Sequence, residues 1–265
     1  AALLVVRHHT AEYFIKNMTP DTSDTLMFEA IKAIDPGRIG VICFFLISGF
    51  IIPSSFSKSS KSPISEFTIK RVFRLYPAYW LSIVLAIFVD ALFLSKEHSC
   101  WQALSNATMI QNLLGQDHIQ GLYWTLQVEL IFYVLCAFMF RANALQTSKQ
   151  ILLALTLSLF IFSLTNLIGS KLHLINKSNK EIFYTPFLLG VMLCGTLLRT
   201  WIDQNDKKNL ISTSIGFSLV FSIPILNYLL SANGIHLIAD AQRFLISHII
   251  ALIIFLAAIT KWNSP

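Results

Sequence analysis

The sequence predicts an all-α protein, a polytopic bundle of transmembrane helices, and three observations support this prediction. Apolar residues make up 55% of the 265-residue chain. Charged residues make up only 13%, whereas soluble globular domains carry about 25%. The apolar residues also fall into long runs that short polar segments separate. A soluble domain of this length cannot bury so much apolar surface in one core, but a lipid bilayer can surround it.

The apolar runs indicate where the spans lie, because a transmembrane helix needs about 20 mainly apolar residues, with about 17 to 25 tolerated. Six runs meet this requirement: Leu75–Leu94, Gly121–Phe140, Ile151–Gly169, Ile182–Thr200, Leu210–Leu230 and Phe244–Lys261. Ile39–Ile52 is a shorter run of 14 residues, which could span only together with its flanks. Ala1–Val6 is typical of the end of a further helix. About eight spans are therefore predicted.

Both ends of the chain are predicted to be truncated. The first residue is Ala1, and the charged segment of a signal peptide is missing. At the other end, Phe244–Lys261 is followed almost at once by Pro265. We therefore expect residues 1–265 to form a single integral membrane domain, with a partial first helix and with its last helices missing.

The basic residues of the short loops predict the orientation, because loops on the cytoplasmic side carry an excess of Lys and Arg. The segment from Ile52 to Arg74 holds five basic residues and one acid, Glu66, which favours the cytoplasmic side. Alternation then gives eleven basic residues on that side and eight on the other. The mixed segment Cys100–Leu114 is typical of an interfacial helix.

Two other classes of function are disfavoured by the composition. The net charge is +6, but the basic residues stand in short clusters between apolar runs and form no stripe that would follow a nucleic acid. The four cysteines show no metal-ligand spacing such as C-x-x-C, so neither a zinc site nor a disulfide framework is expected. The predicted partner is the lipid bilayer.

The histidine pair His8–His9 is the first candidate for chemistry. In a helix, His8 and Glu12 lie four residues apart on one face. An imidazole that a carboxylate orients is a common general base, because it exchanges a proton near neutral pH. The alternative is a histidine pair at the membrane interface without a catalytic role.

Arg71 and Arg74 are the second candidate. Their spacing of three residues places both guanidinium groups on one side of a helix. Two such groups at the entrance of a span suit the binding of phosphate. The alternative is that they only anchor the span on the cytoplasmic side.

Glu129 is the third candidate. It lies about 12 Å into the span that begins at Gly121, where a charged side chain costs about 2.5–3.5 kcal/mol. We therefore expect it to face a polar interior, in a catalytic role or as the partner of an arginine or histidine. Ser48, in contrast, is expected to let a neighbouring helix approach, since no nucleophile elbow surrounds it.

Four segments in this order resemble the membrane-bound acyltransferase-3 family, the bacterial surface-glycan O-acyltransferases. They are Phe44–Phe50 with its Phe-Phe and Ser-Gly-Phe, Arg71-x-x-Arg74 before Tyr76-Pro77, Trp124 to Glu129 with Phe132-Tyr133, and the weaker Phe187–Gly190. The resemblance covers essentially the whole chain. It also places the family's catalytic histidine at His9 rather than His8, while the family's arginine of the first span falls before Ala1.

The resemblance implies the transfer of an acyl group from cytoplasmic acyl-CoA to a hydroxyl of a cell-surface or secreted glycan. Acetyl is the acyl group that it leads us to expect. It implies His9 and Glu129 as catalytic residues and Arg71 and Arg74 as ligands of the CoA phosphates. The implied substrate-binding residues are Phe45, Ser48, Trp124 and Tyr133. The implied location is the bacterial inner membrane, the implied acceptor is a glycan or lipid-linked sugar, and no metal is implied.

A transporter or flippase is the alternative that the residues leave open. Glu129 and the histidine pair would then form a proton relay within the membrane. Transporters often contain repeated halves with paired broken helices. The sequence shows no such internal symmetry, and this favours the enzyme.

Overall fold

The computed structural model describes residues 34–57, 60–172, 180–232 and 240–262. Within these ranges the chain forms eight α-helices and no strand, and the predicted all-α class is confirmed. The helices are α1 (Pro36–Ile51), α2 (Pro63–Phe93), α3 (Cys100–Ala107), α4 (Tyr123–Arg141), α5 (Ser148–Lys171), α6 (Lys180–Gln204), α7 (Lys207–Ala232) and α8 (Ala241–Trp262).

Seven of the described helices, all except α3, are long and apolar enough to cross a membrane. Each of them overlaps one of the seven predicted runs, and the prediction of a polytopic membrane protein is confirmed. The expected remnant of a further span, Ala1–Val6, lies outside the described residues, and so do His8 and His9.

Helix α2 begins twelve residues before the start predicted from hydropathy at Leu75. Pro63 stands at its first position, and Glu66 lies in the first turn, where the helix dipole favours an acid. The Glu66 carboxylate and the Lys70 ammonium group lie 2.5 Å apart, a pair with helical spacing. Charged turns thus extend the helix to 31 residues, or about 46 Å, and carry Arg71 and Arg74 on a rigid element.

Helix α3 lies alongside α2, a position that the expectation of an interfacial helix did not include. Side chains of α2 donate hydrogen bonds to carbonyl oxygens at the end of α3: Tyr79 to Asn106 (2.7 Å), Trp80 to Ala107 (3.0 Å) and Tyr76 to Thr108 (3.1 Å). Carbonyl groups in the last turn of a helix lack partners within that helix. The aromatic side chains of α2 supply these partners and fix α3 against it.

The described chain divides into two compact units. One unit contains residues 34–50 and the described residues from Gly190 onward, while the other contains the described part of Ile51–Leu189. In the first unit α1 packs against the later part of α6, and the Thr196 hydroxyl donates a 2.9 Å hydrogen bond to the Gly49 carbonyl oxygen. In the second unit Ser158 of α5 donates to the Pro186 carbonyl oxygen of α6 at 2.6 Å.

Gly49 allows α1 and α6 to approach closely within the first unit. A Cβ atom at this position would overlap the backbone carbonyl group of Met192. Small residues at such contacts let two membrane helices pack backbone to backbone. Gly195 makes a second contact of this kind, with the Leu46 carbonyl oxygen.

We expect Gly49→Ala to lower the free energy of unfolding by about 1–3 kcal/mol, because the added methyl group meets backbone atoms that cannot rotate away. Gly121→Ala is the matched control, since a Cβ atom there has no atom within 4 Å. Thermal unfolding of the purified protein in detergent measures both variants. Equal midpoints for Gly49→Ala and the parent protein would contradict the close contact.

Candidate functional site

A buried arginine, Arg71 of α2, forms the centre of the candidate site in the second unit. Its side chain lies between two aromatic rings, with the guanidinium carbon 5.3 Å from the ring centroids of both Phe67 and Tyr133. The residue is only 8% exposed. The ring faces carry partial negative charge, so they stabilise a cation that has lost its water.

Ser55 holds the guanidinium group in place. It ends the short 3₁₀ turn Pro53–Ser55, which follows α1, and its hydroxyl donates to the Ile52 carbonyl oxygen at 2.6 Å. The Ser55 hydroxyl oxygen in turn accepts a 2.6 Å hydrogen bond from Nη2 of Arg71. The turn therefore presents an oriented acceptor, and Ser55 is a residue that the sequence analysis did not identify.

Glu129 and Tyr133 face Arg71 from α4. They lie one helical turn apart, and the Tyr133 hydroxyl donates a hydrogen bond to Oε1 of Glu129. Glu129 is 6% exposed, and Arg71 and Arg74 lie near enough to interact with it electrostatically. The carboxylate thus faces a polar interior, as expected from its cost in lipid.

Arg74 and Lys70 differ from Arg71 because both are exposed. Lys70 is paired with Glu66, whereas Arg74 forms no ion pair with any residue of the described ranges. A cavity of about 210 Å³ opens at this point, lined by Ser55, Phe67, Lys70, Arg71 and Arg74. Three cations around one cavity make it a suitable site for a multiply charged anion such as a phosphate ester.

A stack of three phenylalanine rings supports the site through Phe67. The ring of Phe56 lies 4.0 Å from that of Phe67 and 4.4 Å from that of Phe140, nearly parallel to both. Two rings can stack on a third only from opposite faces, so Phe56 lies between its neighbours. The stack fixes Phe67, whose ring in turn contacts Arg71. Phe67 precedes Arg71 by one helical turn, a spacing that could have identified it from the sequence.

Of the other predicted residues, one lies elsewhere on α4, two belong to the first unit and one lies outside the described residues. Trp124 is half-buried in the first turn of α4, nine residues or about 14 Å before Tyr133. Phe45 and Ser48 are buried residues of α1 and belong to the first unit. His9 lies outside the described residues, so the structure brings together four of the eight predicted residues: Arg71, Arg74, Glu129 and Tyr133.

Two histidine–carboxylate pairs in the second unit were not identified by the sequence analysis. His98 Nε2 lies 2.6 Å from Asp90 Oδ2 at the end of α2, and His118 Nε2 lies 3.0 Å from Glu181 Oε2 at the start of α6. Both pairs join loop residues to helices, and each imidazole provides a polar partner for a carboxylate group. Within the described ranges, no group of three His, Cys, Asp or Glu side chains could hold a metal ion.

Comparison with known proteins gives consistent matches. The acyltransferase-3 family model, described as an acyltransferase domain, matches residues 1–264. ORF330 of Acidianus two-tailed virus, named as a candidate acetyltransferase, is 24% identical over 239 residues, which cover 89% of this chain and 68% of the viral protein. Nodulation protein 10 of Rhizobium leguminosarum bv. viciae is 27% identical over 115 residues, which cover 36% of this chain and 31% of that protein. No solved structure shows a significant match.

The contrast between the two arginines predicts different effects on stability. Arg71→Gln should lower the free energy of unfolding by about 2 kcal/mol, because it removes a charge-assisted hydrogen bond and two ring contacts from a buried position. Arg74→Gln should change it by less than about 0.5 kcal/mol, since the side chain is exposed. Thermal unfolding in detergent tests this, and a larger loss for Arg74→Gln would contradict the assignment of burial.

Proposed function

The chain belongs to the acyltransferase-3 family. On this basis we propose that it transfers an acyl group, with acetyl as the expected group, from acyl-CoA to a hydroxyl of a glycan. That it is a membrane acyltransferase follows from the family match and the seven membrane-spanning helices. The donor, the acceptor and the side of the membrane are the proposal. The observation that carries it is the cavity between Lys70, Arg71 and Arg74.

The donor is proposed to bind through its phosphates at this cavity. Arg74 is exposed and has its guanidinium group available for a bidentate contact, while Arg71 is held by Ser55 and the two rings. Arg71 therefore contributes charge from a fixed position, and Arg74 contacts the phosphate groups directly. The basic segment from Ile52 to Arg74 supports a cytoplasmic location for this end of α2, where acyl-CoA is available.

The proposed reaction uses His9 as the general base, a role that rests on the resemblance. His9 accepts the proton of the acceptor hydroxyl, and the oxygen attacks the thioester carbonyl carbon. The tetrahedral intermediate collapses, the C–S bond breaks, and the CoA thiolate leaves. The proton on the histidine then returns to the thiolate, so CoA-SH and the acyl ester are the products.

Glu129 is proposed to balance charge at the donor site. Its carboxylate accepts the Tyr133 hydroxyl and lies in the field of both arginines, which keeps these cations from repelling each other before the donor binds. Tyr133 then links the carboxylate to Arg71, because its ring also lies against the guanidinium group. A direct role of Glu129 in orienting His9 is part of the same proposal.

The acceptor is proposed to be a glycan or lipid-linked sugar at the bacterial inner membrane. One relative is named a candidate acetyltransferase, and this name supports acetyl as the acyl group. Another relative is named a nodulation protein. Phe45, Ser48 and Trp124 are proposed to contact the substrates, as the resemblance implies. The family match also favours acyl transfer over the transporter alternative, which would consume no acetyl-CoA.

We expect His9→Ala to abolish the release of CoA-SH from acetyl-CoA in membranes that hold the full chain and a glycan acceptor. His8→Ala should retain most of the activity, because the resemblance places the catalytic histidine one residue later. A thiol assay measures the release, and immunoblotting of the membrane fraction checks insertion of both variants. Full activity of His9→Ala would remove the proposed base.

Arg74→Gln should raise the KM for acetyl-CoA about tenfold and leave kcat within about twofold, because it removes one charge-assisted contact to phosphate without touching the reacting atoms. Lys207→Gln is the control, an exposed basic residue at the start of α7 that does not line this cavity. Steady-state kinetics in detergent measure both variants. An unchanged KM for Arg74→Gln would contradict donor binding at this cavity.

A further inference from the structure

A second and larger cavity lies in the same unit, where α2 begins and α4 ends. Its volume is about 520 Å³. It is lined by Ser62, Pro63, Ile64, Ser65, Phe140, Arg141 and Asn143. Neither the sequence motifs nor the resemblance assigns a role to these residues.

The lining of this second cavity combines a cation, hydroxyl groups and an aromatic ring. Arg141 is exposed and forms no ion pair within the described part of the chain. Ser62 and Ser65 add hydroxyl donors, and Asn143 adds an amide. Arginine with hydroxyl donors suits a phosphate group, and an aromatic side chain suits the flat face of a nucleobase. Together these side chains suit a nucleotide, with its phosphate at the arginine and its base at the aromatic ring.

The three-ring stack connects the second cavity with the donor cavity. Phe67 lines the donor cavity and Phe140 lines the second one, and both rings stack on the two faces of Phe56. The cavities are thus neighbours, separated by a single aromatic stack within one unit. A ligand that spans both must carry anionic groups at two places that a short connection joins.

Coenzyme A has this distribution of charge. Its ribose carries a diphosphate on the 5′ oxygen and a separate phosphate on the 3′ oxygen, with adenine on the same ring. We propose that the cavity at Arg141 binds the adenosine 3′-phosphate end of acyl-CoA, with Arg141 on the 3′-phosphate and Phe140 beside the adenine. The diphosphate then lies toward Arg74. This assignment rests on the proposed function, since it takes acyl-CoA as the donor.

A phosphate group could also reach Arg141 from a lipid headgroup, and the two sources predict different kinetics. A lipid contact would affect the enzyme in the same way with every donor. A contact to the 3′-phosphate affects only donors that carry this group. Acetyl-dephospho-CoA lacks the 3′-phosphate and is otherwise identical to acetyl-CoA, so it separates the two sources.

The experiment measures kcat and KM of the full chain with acetyl-CoA and with acetyl-dephospho-CoA. For the parent protein we expect a KM about tenfold lower with acetyl-CoA, because one charge-assisted contact is lost with the other donor. Arg141→Gln should raise the KM for acetyl-CoA about tenfold and leave the KM for acetyl-dephospho-CoA unchanged, which removes the difference between the donors. Its activity with acetyl-dephospho-CoA also shows that the variant is folded.

Lys149→Gln is the matched control, an exposed basic residue at the start of the next helix that does not line the cavity. It should keep the full difference between the donors. Equal KM values for both donors in the parent protein would overturn the assignment, and so would a rise for both donors in Arg141→Gln, which a lipid contact predicts. If the parent protein transferred acetyl from neither acetyl-CoA nor acetyl-dephospho-CoA, the proposed function itself would be refuted.

Discussion

The burial of the Arg71 guanidinium group is the constraint on which the candidate site depends. A charge removed from water costs several kcal/mol unless neighbouring groups replace the hydration. Here the faces of Phe67 and Tyr133 and the hydroxyl of Ser55 provide this replacement. Each of these groups lies on a different turn or helix, so the turn after α1, the first turns of α2 and the middle of α4 must keep fixed positions.

This constraint also explains why the two arginines of one motif, Arg71 and Arg74, lie in different environments. Residues three apart on a helix lie near each other but not on the same line along its surface. In α2 this offset directs Arg71 toward α4 and leaves Arg74 exposed beside the cavity. One arginine therefore shapes the site, and the other remains available to a ligand. Glu129 of the opposite helix lies near enough to interact electrostatically with both cations.

A related constraint acts elsewhere in the described chain, because polar groups that are buried away from water must find partners within the protein. The carbonyl groups at the end of α3 receive hydrogen bonds from side chains of α2, and the pairs of His98 with Asp90 and His118 with Glu181 hold loop residues to helices. In the first unit the same need for close packing appears at Gly49, where the absence of a side chain allows the approach of α6.

The all-α class and seven of the spans could be predicted from the amino-acid sequence, because length and hydropathy are local properties that the bilayer selects directly. It also indicated Arg71, Arg74 and Glu129, since charged residues stand out against an apolar background, whereas Tyr133 was implied by the family resemblance. The burial of Arg71, the exposure of Arg74 and the hydrogen bond from Arg71 to Ser55 are seen only in the folded chain. These contacts join residues far apart in the chain, and helical periodicity carries no information about which helices become neighbours.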